Sequence, residues 1–199
     1  MKFSRKLDDT LLQRITQGDG EALAELYDRY AGQVLGLCVR ILNERQLAED
    51  VLQEVFVRVW ERAHTFEASR GSGAAWLMGI TRNMCIDQLR RIRARPQAAE
   101  DSAEGDSLPF EEALADPEGD VPERATLNER AALVRRALAA LNPEQRQVIE
   151  LSFFRGLTRR EIAKQLRWPE GTVHTRARLA LQNLRQQLLA QGLEADDWR

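Results

Sequence analysis

Residues 156–178 of this chain, GLTRREIAKQLRWPEGTVHTRAR, predict two helices joined by a short turn. Thr158 and Glu161 have the spacing of a capping box, in which each side chain accepts a hydrogen bond from the other residue's backbone N–H. Pro169 and Gly171 then favour a turn. The last helix is predicted from residue 172 to about residue 189, with these apolar positions inward: Val173, Ala177, Ala180, Leu181, Leu184 and Leu188. These signals predict a helix-turn-helix.

An additional helix is predicted just upstream of this motif. Asn142, Pro143 and Gln145 are the residue types expected at the N-cap, the first position and the third position of a helix, which should run to about residue 154. Residues 155–178 contain seven bases and two acids, a net charge of +5. Such an excess of basic side chains is typical of a surface that contacts phosphates.

The amino-terminal part of the chain shows helical periodicity and no alternation typical of strands, so the predicted fold class is all-α. Residues 66–73 are rich in small residues and glycine, which favours a loop between the third and fourth segments. In four successive segments the apolar residues recur at steps of three and four: Leu11, Leu12 and Ile15; Leu23, Leu26, Tyr27, Tyr30, Val34, Leu37, Cys38 and Ile41; Ala48, Val51, Leu52, Val55, Phe56, Val59 and Trp60; Trp76, Leu77, Ile80, Met84, Leu89 and Ile92.

Charge is distributed unevenly along the 199 residues, although 29 bases nearly balance 31 acids. Residues 97–125 hold ten acids and one base, a net charge of −9, so the rest of the chain carries +7. Three prolines and two glycines interrupt the same stretch, and it lacks a sustained apolar period. We therefore predict two helical domains, residues 1–95 and 127–199, joined by a flexible acidic linker over residues 96–126.

Several classes of protein are disfavoured by the same sequence. No apolar run approaches the roughly 20 residues of a membrane-spanning helix, and the first residues do not look like a signal peptide, so a cytoplasmic protein is expected. Cys38 and Cys85 each lie alone, without metal-ligand spacing, which favours reduced structural thiols over zinc or a disulfide. The sequence offers no nucleophile beside a base, no carboxylate pair and no phosphate-binding glycine loop, so we expect neither an enzyme nor a cofactor.

Two groups of motifs resemble bacterial RNA polymerase sigma factors of the extracytoplasmic-function (ECF) group, in the sigma-70 family. Residues 48–60, AEDVLQEVFVRVW, and residues 75–83, AWLMGITRN, are similar to the core domain of that group. Residues 141–146, 156–163 and 169–176 are similar to its promoter-reading domain, and they follow in the family's order. A helix-turn-helix alone is common to many regulators, whereas the motifs of the first domain narrow the resemblance to this group.

The resemblance implies an alternative sigma factor that binds core RNA polymerase and directs promoter-specific transcription initiation. It also implies a cognate anti-sigma factor, often membrane-anchored, that holds the factor inactive until a stress signal arrives. An alternative hypothesis is a one-component regulator, in which the first domain senses a ligand and the second binds DNA as a dimer. Co-purification with core polymerase distinguishes the two, because a dimeric regulator would instead read two half-sites without polymerase.

The resemblance assigns roles to three surfaces. On the second helix of the core domain, the expected polymerase contacts are Asp50, Gln53 and Glu54. On charge alone these would be an ordinary solvated face. The expected contacts to the minus-ten promoter element, including a flipped base held by the loop, are Phe66, Arg82, Asn83, Asp87, Arg90 and Arg91. Trp76 is expected in the core rather than stacked on a base.

The third surface is the start of the last helix, which should enter the major groove at the minus-thirty-five element. His174, Thr175 and Arg178 are the candidates for base edges, and Thr172 and Arg176 are the candidates for phosphates. His174 could equally be a plain surface residue, because histidine has no unique base partner. The turn before this helix departs from the family, since Arg167 and Trp168 stand where a glycine is common.

Overall fold

The computed structural model of the protein describes residues 2–94 and 132–192, with side chains from residue 7 onward. Within these two ranges the regular elements are helices and no strand is present, as the sequence predicts. The described residues divide into two compact units, one on each side of the gap. The predicted acidic linker, residues 96–126, lies outside the described residues.

Within residues 2–94 the first unit contains four α-helices and one short 3-10 turn. Its elements are α1 (Lys2–Thr16), α2 (Gly20–Leu42), α3 (Arg45–Arg62), the 3-10 turn Ala63–Thr65 and α4 (Gly73–Ala94). The first helix begins well before Leu11, the first apolar residue that the periodicity assigns to it. Helix α2 packs against α1, α3 and α4, so the predicted apolar faces meet in one core. Fully buried members of this core include Leu11, Leu12, Leu26, Val34, Val55, Val59 and Leu77.

Local capping explains where α2 begins and ends. Asp19 accepts hydrogen bonds from the backbone N–H groups of Glu21 and Ala22, at 3.0 and 3.1 Å. The bond from Ala22, followed by the bond from the Arg14 guanidinium, lowers the pKa of the Asp19 carboxyl. At the other end Asn43 adopts the left-handed conformation with φ of 54°, which stops the helix.

The two cysteines lie together, which corrects the expectation that each is alone. Cys38 on α2 and Cys85 on α4 are both buried and free, and their sulfur atoms are 3.5 Å apart. The hydrogen bond to Cys38, followed by burial, raises the pKa of the Cys85 thiol far above its ordinary value. Sequence spacing could not show this pairing, because 47 residues separate the two thiols along the chain.

The second unit contains α5, whose described part covers residues 132–139, followed by α6 (Pro143–Phe153), α7 (Arg159–Leu166) and α8 (Glu170–Ala190). Over residues 132–192 its buried residues form two small clusters. The first is formed by Leu138, Leu141 and Ala180, and the second by Val148, Ile162 and Val173. Helix α8 contributes to both clusters, and it therefore ties the unit together.

Three residues that the periodicity places in the apolar faces are exposed instead. Tyr27 keeps 40% of its surface accessible while its ring contacts that of Phe56, with centroids 4.8 Å apart. Trp60 is 42% exposed and Leu181 is 61% exposed. Each lies at the margin of its helix's apolar face, where only the position of the neighbouring helix decides whether a side chain is covered.

Candidate protein and nucleic-acid interfaces

The outward face of α3 carries the three predicted polymerase contacts. Asp50, Gln53 and Glu54 are all exposed, and steps of three and four residues place them on one side of the helix. Val57, one turn further along this face, has 59% of its surface exposed, and Trp60 follows it. We call these five residues the docking face. Its apolar side chains beside acids are suited to a protein partner with apolar and basic groups.

Val57 and Trp60 were missed as functional candidates in the sequence. Val57 has a readable signal, because it is an apolar residue that lies outside the buried stripe of α3. Trp60 has no such signal, since its spacing fits the stripe and the sequence interpretation placed it in the core. Exposed large apolar side chains in a cluster typically mark an interaction surface.

Helix α4 presents most of the predicted minus-ten residues to solvent. Asn83, Asp87, Arg90 and Arg91 are exposed, and Asp87 forms a long ion pair with Arg90 at 3.9 Å. Arg82 is half-buried, and burial, followed by the charge of Arg90, lowers the pKa of its guanidinium. These residues therefore share one helix, with the polar side chains of Asn83 and Asp87 one turn apart and the two arginines, Arg90 and Arg91, towards its carboxyl end.

The loop before α4 holds the sixth predicted residue, Phe66. Its ring meets the ring of Trp76 edge-on, with centroids 5.9 Å apart, and both side chains are half-buried. The sequence interpretation expected Trp76 in the core, but its side chain is only half-buried. Within the loop, Glu67 accepts a hydrogen bond from the Ser69 hydroxyl at 2.7 Å and pairs with Arg70 at 2.6 Å. These local contacts give the loop a defined shape.

The turn of the helix-turn-helix forms without the usual glycine. The capping box of Thr158 and Glu161 is present at the start of α7, as predicted. Arg167 ends that helix in the left-handed conformation, with φ of 54°, at a position where glycine would be unstrained. Trp168 follows, and its backbone N–H donates a hydrogen bond to the carbonyl oxygen of Ala163 at 3.0 Å.

Arg176, a predicted phosphate contact, is held by two other elements. Its guanidinium lies over the Trp168 ring, 4.0 Å from the centroid, and pairs with Glu144 of α6 at 2.6 Å. Only 25% of its side chain is exposed. Gln145, at the third position of α6, accepts a hydrogen bond from the Asn183 side chain at 3.1 Å, and Asn142 caps α6 as predicted.

The remaining residues of this surface are accessible. His174, Thr175 and Arg178 are exposed on the first turns of α8, and Thr172 is half-buried. Together with Arg176, these four residues form what we call the reading face. The described residues hold no group of three or more His, Cys, Asp and Glu side chains that could bind a metal ion. Among the helices of the described ranges, none is long and apolar enough to cross a membrane.

Comparison with known families assigns both units. Residues 26–95 match the Sigma-70 region 2 family, and residues 137–186 match the Sigma-70 region 4 family. The ECF RNA polymerase sigma factor SigK of Mycobacterium tuberculosis H37Rv is 33% identical over 178 residues, 89% of this chain and 91% of the relative. The ECF RNA polymerase sigma factor RpoE of Cereibacter sphaeroides is 38% identical over 170 residues, 85% and 88% of the two chains.

Two solved structures match this chain over most of its length. The Rhodobacter sphaeroides SigE in complex with the anti-sigma ChrR is 33% identical, with 92% of this chain and 98% of that chain covered and a TM-score of 0.43. CnrH in complex with the cytosolic domain of CnrY is 24% identical, with 92% and 98% covered and a TM-score of 0.39.

The chain belongs to the ECF group of RNA polymerase sigma factors, because full-length sequence relatives and both family regions agree. It is thus a transcription initiation factor that acts with core RNA polymerase on promoter DNA. The dimeric regulator is not favoured, since the domain that would have to sense a ligand matches region 2 instead.

Proposed function

We propose that the three surfaces described above divide the work of initiation between them. The docking face of α3 binds core polymerase, the loop before α4 and α4 itself capture the minus-ten element, and the reading face of α8 reads the minus-thirty-five element. The domain limits that go with this division are residues 1–95, 96–126 and 127–199. The observation that carries the proposal is the presence of regions 2 and 4, in that order, in one chain.

The chemistry of the docking face supports a basic protein partner. Asp50 and Glu54 offer carboxylates for ion pairs at the rim, and Gln53 offers an amide that can donate and accept. Val57 supplies an apolar centre whose burial stabilises the complex without the cost of desolvating a charge. If the docking face contacted DNA instead, its two carboxylates would repel the phosphates.

Helix α4 and its preceding loop have the groups that single-stranded DNA requires. Arg90 and Arg91 are exposed bases suited to phosphates, and Asn83 presents an amide able to pair with the edge of an unstacked base. The half-buried rings of Phe66 and Trp76 lie beside them at the loop. Aromatic rings of this kind stack on bases that have left the duplex.

The reading face combines exposed base-reading candidates with a held arginine. Arg178 can bond a guanine edge through two N–H groups, which makes it the main specificity residue of the proposal. Arg176 is held by Trp168 and Glu144, so its guanidinium is pre-positioned for a phosphate and loses little freedom on binding. Uniform phosphate affinity and selective base contacts are thereby assigned to different residues.

The proposal includes regulation and location. Membership of the ECF group implies a cognate anti-sigma factor, often membrane-anchored, which releases the factor on a stress signal. A factor that works on core polymerase acts in the cytoplasm, where we place it. Its chemistry is binding and strand capture, without a catalytic residue of its own.

Reconstitution with core polymerase tests the proposal. Genomic DNA transcribed in vitro by core enzyme with and without the purified factor, followed by mapping of RNA 5′ ends, should give a set of new start sites. These sites should share sequence elements centred about 10 and 35 base pairs upstream, as the two DNA faces require. Start sites that do not depend on the factor, or that share only one element, would contradict the division of roles.

A further inference from the structure

We infer that α1, through the neighbouring acids Asp8 and Asp9, positions the start of α4 and thereby sets how selectively the minus-ten element is captured. The inference rests on the proposed role of the loop and α4. Residues of α1 are not among the predicted contacts, and the region 2 match begins only at residue 26. In the structure, however, α1 contacts α2, α4 and the 3-10 turn that leads into the loop.

Asp8 fixes α1 to α2. Its side chain is almost completely buried, and it accepts hydrogen bonds from Arg29 at 2.8 Å and from the Tyr30 hydroxyl at 2.5 Å. A buried carboxylate is tolerated only when its charge and its lone pairs are satisfied in this way. The position of α1 along α2 is therefore strongly specified.

Asp9 reaches the other direction, to α4. Its carboxylate accepts the backbone N–H of Gly73, the first residue of α4, at 3.2 Å. The first N–H groups of a helix lack partners within the helix, and an acid near them is favoured by the helix dipole. The adjacent cap is local, because the Ser72 hydroxyl accepts the N–H of Ala75 at 3.2 Å. One of the bonds that fix the start of α4 thus comes from 64 residues away.

Gly73 itself shows how closely the two helices approach. A Cβ atom at this position would lie 2.9 Å from Cδ1 of Leu12 and 3.3 Å from Cβ of Asp8. Leu12 is 1% exposed, so it has little room to move aside. The loop of residues 66–72 ends at this joint, and the orientation of α4 begins there. A small displacement of the joint would move the loop relative to the base-contacting side chains, and selectivity depends on that geometry.

The test uses full-length factor with core polymerase on a promoter mapped as above, with its minus-ten segment randomised and its minus-thirty-five segment fixed. Sequencing of the transcripts gives the preference for each base. We expect Asp9→Ala to reduce the discrimination roughly three- to tenfold, the range for one lost, partly exposed hydrogen bond. Asp9→Asn keeps an acceptor oxygen and should retain most of it. Gly73→Ala disturbs the same joint from the side of α4 and should act like Asp9→Ala.

Controls separate positioning from loss of folding. Asp28→Ala removes an exposed acid on α2 and should leave base preference unchanged. Affinity for core polymerase and preference in a randomised minus-thirty-five segment should also stay unchanged in Asp9→Ala. Equal preference in wild type, Asp9→Ala and Gly73→Ala would overturn the inference, as would a change that appears together with lost polymerase affinity. If Asn83→Ala also leaves the preference unchanged, the proposed minus-ten role of α4 fails as well, whereas an effect of Asn83→Ala alone removes only the inference.

Discussion

The docking face of α3 and the reading face of α8 differ in both chemistry and support. The former exposes acids around an apolar residue, Val57, while the latter exposes His174, Thr175 and Arg178. On α8 the exposed large apolar residues, Leu181 and Leu189, come only after these turns. A protein partner can bury apolar surface, whereas the phosphates of DNA bind positively charged side chains. The difference in exposed side chains therefore separates the two kinds of partner.

The faces also differ in how their side chains are held. Asp50, Gln53 and Glu54 project from a single helix, so they can be changed without disturbing another element. Arg176 connects α8 to α6 through Glu144 and to the turn through Trp168. Substitutions should accordingly separate binding from stability on α3, but combine them at Arg176.

The largest effect is expected on the docking face. Replacing Asp50 and Glu54 with Lys should weaken core polymerase binding by ~100-fold or more, because like charges would face a basic partner across the interface. The melting temperature should barely change, since exposed charges are typically worth under about 1 kcal/mol. Co-elution with core polymerase at moderate salt measures the first quantity, and thermal unfolding measures the second. Asp28→Lys is the matched control, and retained affinity in the folded double variant would remove the assignment.

The second comparison lies within the reading face. Arg178→Ala should change which minus-thirty-five sequences are used, at about 1–3 kcal/mol for a lost base contact. Arg176→Ala should weaken all promoters together and reduce the slope of affinity against salt concentration. It should also lower the free energy of unfolding by roughly 1 kcal/mol, because an ion pair and a ring contact are lost. A panel of minus-thirty-five variants, measured at several salt concentrations, distinguishes the two substitutions; identical profiles would show that the reading face is misplaced.

A smaller, pH-dependent effect is expected inside the first unit. The pKa of the Cys85 thiol is raised in the folded state from its ordinary value of 9.0. When the pH rises above 9.0, the unfolded chain therefore loses the thiol proton while the folded protein keeps it. The free energy of unfolding should therefore be unaffected below that pH and should fall as the pH rises above it, by at most about 1.4 kcal/mol per pH unit. Chemical denaturation between pH 7 and 10.5 checks this, and Cys85→Ala should flatten the alkaline branch.

Alkylation gives an independent measure of the same thiols. Iodoacetamide should modify Cys38 and Cys85 slowly in the native protein and rapidly after unfolding, because both are buried and the thiolate is the reactive form. Rapid native labelling at pH 8 would show that the pair is open to solvent.

The smallest effect is expected at the helix caps. Asp19 caps α2 with a carboxylate whose pKa is lowered from 3.8, whereas Asn142 caps α6 with an uncharged amide. The stabilisation from Asp19 is present above pH 3.8 and should be lost as the pH falls through its lowered folded pKa. Hydrogen exchange of the Ala22 amide should accelerate there relative to the intrinsic rate, while that of Glu144 should show no matching step. Asp19→Asn should remove the acceleration of Ala22 exchange at low pH, because an amide side chain does not titrate there.

Much of the fold could be predicted because its signals are local. The capping box at Thr158, the N-cap at Asn142 and the buried stripe of α3 all depend on residues within one or two turns of each other. The exposure of Asp50 and of Arg178 follows from the same periodicity. The roles assigned to those side chains came instead from the resemblance, since an exposed charge by itself does not identify its partner.

Tertiary structure decided the contacts between helices. Asp9 meets Gly73 across 64 residues, and the two cysteines meet across 47. Trp60 and Leu181 have the spacing of core residues, yet the helices of the described ranges leave them 42% and 61% exposed. The sequence by itself determined where α6 and α7 begin and which side of each helix is mainly apolar, because backbone capping and a 3.6-residue period act within a single segment. Which distant groups touch depends on the register and angle at which two helices pack, and that information is present only when all the side chains between them are fitted together.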